Sequence, residues 1–80
     1  MNELWVVVTK RDCPWCVKVK ELLKAHGVGA FTEIDITDNE TVKDFLRTIL
    51  PKPSVPQVFH EGHRIGGFEA TDTYLKVLGL

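Results

Sequence analysis

Leu4-Trp5-Val6-Val7-Val8, Thr9-Lys10-Arg11-Asp12 and Cys13-Pro14-Trp15-Cys16 follow one another, and the reading of this stretch decides the fold. The first five residues are an unbroken apolar run of strand-forming types, and from Pro14 the pattern turns helical. Cys13 therefore falls at the junction. Pro14 suits the first helical position, where its missing N–H is no loss, so Cys13 is expected as the N-cap with its sulfur facing unpaired backbone donors. The positive helix end, with Lys10, Arg11 and Lys18 nearby, favours a thiolate and marks Cys13 as the candidate nucleophile. Cys16 lies one turn further on the same, apolar face, within reach of a mixed disulfide formed at Cys13. It is expected to be buried and to act as the resolving thiol. These are the only two cysteines. A bridge closing so short a loop constrains the unfolded chain little, so the pair reads as chemical, not structural.

The rest of the chain supports this element. Eighty residues are expected to form one domain, residues 1–80, around a single marginal core. A hydrophobic share of 44% is ordinary for a globular chain, and a net charge of −1 gives no reason to expect nucleic acid or a membrane surface as partner. No secretory signal or membrane span is legible, so cytoplasmic localisation is the default expectation.

The first helix is expected from about Pro14 to His26, turning Cys16, Val19, Leu22 and Leu23 inward and ending at Gly27. A second strand, Phe31 to Ile36, carries charges on one face, which suggests a sheet edge; the intervening helix makes it parallel to the first. Thr37-Asp38-Asn39-Glu40 offers overlapping N-caps, including a Thr-x-x-Glu capping box. Val42, Phe45, Leu46, Ile49 and Leu50 then mark the inner face of a second helix, which Pro51 and Pro53 stop. Val55 to Phe59 and Arg64 to Gly66 flank His60-Glu61-Gly62-His63 as a hairpin with Gly62 in the turn. A last helix, from Glu69 or Thr71 to Val77, buries Tyr74, Leu75 and Leu78. The order is βαβαββα.

Several residues resemble those of a known family: Thr9-Lys10 ahead of Cys-Pro-Trp-Cys, Glu33-Ile34-Asp35-Ile36, Ser54-Val55-Pro56-Gln57-Val58-Phe59 and Ile65-Gly66-Gly67. Over nearly its whole length the chain resembles a dithiol glutaredoxin of the short bacterial and bacteriophage kind. The resemblance implies an α/β, thioredoxin-like fold with a mixed four-stranded sheet ordered 2-1-3-4 and helices on both faces. It also implies a cis Pro56 beside Cys13, with Val55 pairing its backbone to the cysteinyl residue of glutathione. Gly66 and Gly67 would then admit the tripeptide, the last helix would receive a carboxylate at its N-terminus, and Lys10 would bind the other. Trp15 and Phe68 are candidates to line the groove. Where the family commonly has a small polar residue followed by Asp, this chain has Glu69-Ala70, and Glu69 is the candidate for the γ-glutamyl ammonium. Tyr is usual at Trp15 and Thr at Ser54.

The implied activity is glutathione-dependent thiol–disulfide exchange, with glutathione as cosubstrate and no tightly bound cofactor. Partners would be glutathionylated or disulfide-containing proteins, such as ribonucleotide reductase, and the protein would be a monomer. A thioredoxin-like carrier reduced by a flavoprotein reductase, and a dimeric iron–sulfur binding module, are the competing readings. A zinc site built from the cysteines with His60 and His63 is disfavoured, since Pro14 and the helical frame suit redox chemistry. Both histidines read as exposed hairpin residues, and His26 as a polar helix end. Trp5 reads as core, and Lys43 as a weaker carboxylate ligand than Lys10.

Overall fold

A computed structural model describes residues 4–50 and 54–79. The elements are β1 (Trp5–Thr9), α1 (Pro14–Ala25), β2 (Thr32–Asp35), α2 (Glu40–Ile49), β3 (Gln57–His60), β4 (His63–Gly66) and α3 (Phe68–Leu78). The sheet runs β2-β1-β3-β4, with β1 parallel to β2 and antiparallel to β3, and β3 antiparallel to β4. β1 reads as a continuous apolar run because it is a central strand, covered on both faces. Trp5 and Val7 join Val19 and Leu23 of α1, Val58 and Leu75 in one core cluster. Val8 turns to the opposite face, where Ile36 and Leu46 of α2 form a second cluster with Val42, Leu50, Val55 and Phe59 packed on it. Helices therefore cover both faces, as expected. β2 is an edge strand.

Local chemistry sets the boundaries. α1 ends where Gly27 adopts φ 86°, open only at strain to other residues, with His26 as C-cap. The β3–β4 turn places both Glu61 (φ 52°) and Gly62 (φ 83°) in the left-handed region, the conformation that joins twisted strands in a two-residue loop.

Five expectations need correction. β1 begins at Trp5 and extends to Thr9, while β2 is shorter than Phe31 to Ile36. The capping box is not formed: Asn39 is the N-cap, its Oδ1 accepting from the Val42 amide at 3.1 Å, while the Thr37 hydroxyl accepts from the Arg11 amide at 2.9 Å. On α2, Leu46 is buried but Phe45 and Ile49 are 54% and 38% exposed, because one sheet face accommodates only part of so wide a stripe. α3 starts earlier, at Phe68 after Gly67, and buries Thr71 and Leu75 while Leu78 remains exposed. His60 is not a surface loop residue. It lies in β3 directly opposite Trp5, stacked on its ring at 3.9 Å, with Nδ1 2.7 Å from the Tyr74 hydroxyl. The proposed stops at Pro51 and Pro53 lie outside the described residues.

Candidate active site

Asp12, at φ 55°, turns the chain out of the sheet, and Cys13 then caps α1 in an extended conformation. The Cys13 Sγ accepts from the Cys16 amide at 3.2 Å, and the Cys13 carbonyl receives the Cys16 and Val17 amides. Cys13 and Cys16 are joined in a disulfide with 5.2 Å between their Cα atoms. Cys13 is partly exposed, whereas Cys16 is 2% exposed. The two sulfurs thus differ in access and in contact with the helix N-terminus.

The basic residues around them have separate attachments. Arg11 reaches Asp38 at 2.5 Å, and the Lys18 ammonium sits 4.2 Å above the Trp15 ring. Lys10 lines a shallow concavity of about 550 Å³ together with Asp12, Cys13, Pro14, Cys16, Val17 and Lys20. Lys20, missed in the sequence reading, is four residues after Cys16 on α1 and so on the same helical face. Its ammonium lies 3.0 Å from Glu33 on β2, and Glu33 also accepts from the buried Thr9 hydroxyl at 2.7 Å. The Thr9 hydrogen bond, then that of Lys20, holds the Glu33 carboxyl below the usual carboxylate value. Asp35 is likewise lowered, by the side-chain and backbone hydrogen bonds of Thr37.

The Val55–Pro56 bond is cis. Val8 pairs with Gln57, so Val55 and Pro56 lie at the end of the sheet from which the loop to Cys13 departs, and the β1–β3 ladder does not include Val55. A groove of about 210 Å³ joins Trp15, Ser54, Val55, Pro56, Gly67, Phe68 and Glu69. The Trp15 and Phe68 rings meet at 5.3 Å across it. Six of the eight predicted binding residues, Trp15, Val55, Pro56, Gly67, Phe68 and Glu69, are therefore brought together. Lys10 is on the other side of Ser54 and Val55, in a recess with Lys43 and Arg47. Gly66 does not line the groove: it is buried at φ 130°, and a Cβ there would meet the Ala70 Cβ at 3.0 Å. Its part is to permit the turn from β4 into α3.

Among the described residues no three or more His, Cys, Asp or Glu side chains are grouped to hold a metal ion, and no helix is long and apolar enough to cross a membrane.

A cysteine pair at the junction of a central strand and a helix, in a 2-1-3-4 sheet covered on both faces, defines a thiol–disulfide oxidoreductase of thioredoxin-like fold. The glutaredoxin family model matches residues 5–65. The chain belongs to the glutaredoxin family. It is 36% identical over 78 residues to glutaredoxin-C2 of Arabidopsis thaliana, covering 94% of this chain and 69% of that protein. Its fold superposes on the crystal structure of glutaredoxin 1 from Francisella tularensis complexed with cacodylate with a TM-score of 0.77. The identity there is 26%, over 99% of this chain and 100% of that one. A buckwheat glutaredoxin–glutathione complex gives a TM-score of 0.78 at 25% identity, over 91% and 68% of the two chains.

Proposed function

We propose that the protein reduces protein disulfides and glutathione mixed disulfides, with glutathione as its electron source, through Cys13 as nucleophile and Cys16 as resolving thiol. The observation that carries this reading is the asymmetry of the pair: Cys13 is accessible and takes an amide hydrogen bond at its sulfur, while Cys16 is buried one turn on. In the reduced protein that amide, and the positive end of α1, favour a Cys13 thiolate. The thiolate attacks one sulfur of a disulfide, forming a mixed disulfide and releasing the other sulfur as a thiolate that takes up a proton. Cys16 or a second glutathione then attacks the Cys13 sulfur and releases the bound thiol. Two glutathione molecules return the protein to the dithiol and leave as glutathione disulfide.

The groove supports the glutathione reading. Val55 lies outside the strand ladder and presents its backbone beside Pro56, Gly67 opens the approach to the N-terminus of α3, and Trp15 and Phe68 form an apolar wall. Glu69 meets the γ-glutamyl ammonium, and Lys10 the glycyl carboxylate from the far side of Val55. A coupled assay tests this. Turnover of a glutathionylated peptide is expected with glutathione and glutathione reductase; turnover with thioredoxin reductase alone would replace this reading by that of a thioredoxin-like carrier. Cys16→Ser is expected to retain activity on the glutathionylated peptide and to lose most reduction of protein disulfides, whereas Cys13→Ser loses both.

A further inference from the structure

Ser54 and Val55 form a ridge between two unlike recesses. On one side is the groove with Trp15, Phe68 and Glu69. On the other is a recess of about 200 Å³ lined by Lys10, Lys43, Arg47, Ile36 and Leu46. Among the described residues that line it, Lys10, Lys43 and Arg47 are cationic, Ile36 and Leu46 are apolar, and none is a carboxylate. It shares Lys10, Ile36 and Lys43 with a neighbouring recess of about 300 Å³, lined also by Arg11, Thr37 and Asp12.

These cations are open to exchange of partners. Lys43 lies 3.2 Å from Glu40 and 3.3 Å from the Thr37 carbonyl, and Arg47 pairs with Asp44. Both ion pairs are single-turn contacts on α2 with highly exposed carboxylates, so water already competes for them. Among the described residues Lys10 has no ion-pair partner. Three cations exceed what one terminal carboxylate of a tripeptide requires.

We propose that this recess receives the polypeptide segment flanking the attacked cysteine of a disulfide-bonded substrate, and that it selects segments carrying acidic side chains next to an apolar one. The proposal deepens the function above by naming a substrate class, and it rests on Cys13 as the nucleophile. With the segment seated, the Cys13 thiolate attacks the nearer substrate sulfur, a Cys13–substrate disulfide forms, and the departing sulfur takes up a proton. Cys16 then attacks the Cys13 sulfur, releasing the second substrate thiol. Two electrons pass to the substrate and the Cys13–Cys16 disulfide results.

The test uses protein reduced beforehand, freed of reductant and mixed with peptides closed by an internal disulfide. One peptide carries Leu with two Glu beside its cysteine, the other Leu with two Lys. Single-turnover rates are read by acid quench, alkylation and mass spectrometry. At about 20 mM salt the acidic peptide is expected to react roughly three to thirty times faster, and the ratio should fall towards unity at about 0.5 M. Lys43→Glu and Arg47→Glu should each lower the ratio, and the double variant should abolish or reverse it. Because only the ratio is read, an overall loss of activity in a variant does not imitate the effect. A wild-type ratio within about twofold of unity, a ratio insensitive to salt, or a ratio unchanged in the double variant would overturn the proposal. No glutathione is present, so failure of glutathione dependence in the coupled assay and failure here are separate results.

Discussion

At the scale of single residues, the difference between two cysteines three positions apart comes from where each sulfur points. Cys13 caps α1 and Cys16 turns into the protein. In the reduced protein, alkylation at pH 6 should therefore modify Cys13 first, mapped by mass spectrometry; preferential modification of Cys16 would reverse the two roles. The placement of both sulfurs was legible in the sequence, because Pro14 fixes the helix start and one turn separates them. The placement of Glu69 was less legible, since whether it lines the groove depends on how Gly67 turns α3 towards Val55. It does line the groove, and Glu69→Ala is expected to raise KM for a glutathionylated substrate by about 1.4- to 5-fold at low salt, the effect of an exposed contact worth ~0.2–1 kcal/mol. An unchanged or lowered KM with a lower Tm would instead make Glu69 a complement to the helix dipole alone.

At the scale of elements, β2 is held to the rest by side chains as well as by its ladder. Glu33 joins Thr9 on β1 to Lys20 on α1, and its carboxyl titrates below its ordinary value. A lowered carboxylate pKa in the folded state adds stability that is present above the unfolded value, about 4.3, and is lost as pH falls through the folded value. Glu33→Gln should therefore cost about 0.5–1 kcal/mol near pH 7, after discounting for its exposure, and the gap from wild type should close in acid, once pH has fallen through the lowered folded value. Urea melts near neutrality and in acid measure it, and a gap that persists in acid would assign the loss to packing. The pattern from Phe31 to Ile36 predicted an edge strand correctly, but not this tie. The partner residues are 24 and 13 positions away from Glu33, beyond the reach of local periodicity. The same limit explains α2. Its periodicity showed a wide apolar stripe, yet only the sheet decides that Leu46 is covered while Phe45 is not.

At the scale of the whole molecule, the element order, the parallel β1–β2 pair and the hairpin were legible because each follows from a local pattern or a short connection. The site was legible where a motif carries it, at Cys13, Cys16, Val55 and Pro56. The cationic recess was not, because α2 and the Ser54–Val55 ridge meet only through tertiary packing. Nor was the burial of His60, which the β1–β3 register sets by placing it across from Trp5. The two indoles occupy opposite environments: Trp5 is sealed in the core against His60, and Trp15 is 51% exposed within the redox motif. The protein thus carries two optical reporters that answer different questions. Disulfide bonds quench nearby indole emission, so reducing Cys13–Cys16 should brighten a red-shifted, iodide-accessible component that Trp15→Phe removes. Emission from Trp5 should stay blue-shifted and unresponsive to iodide until the chain unfolds, so one fluorescence spectrum separates the redox state of the site from the integrity of the fold. A reduction-dependent change that survives in Trp15→Phe would show that the two signals are not separable.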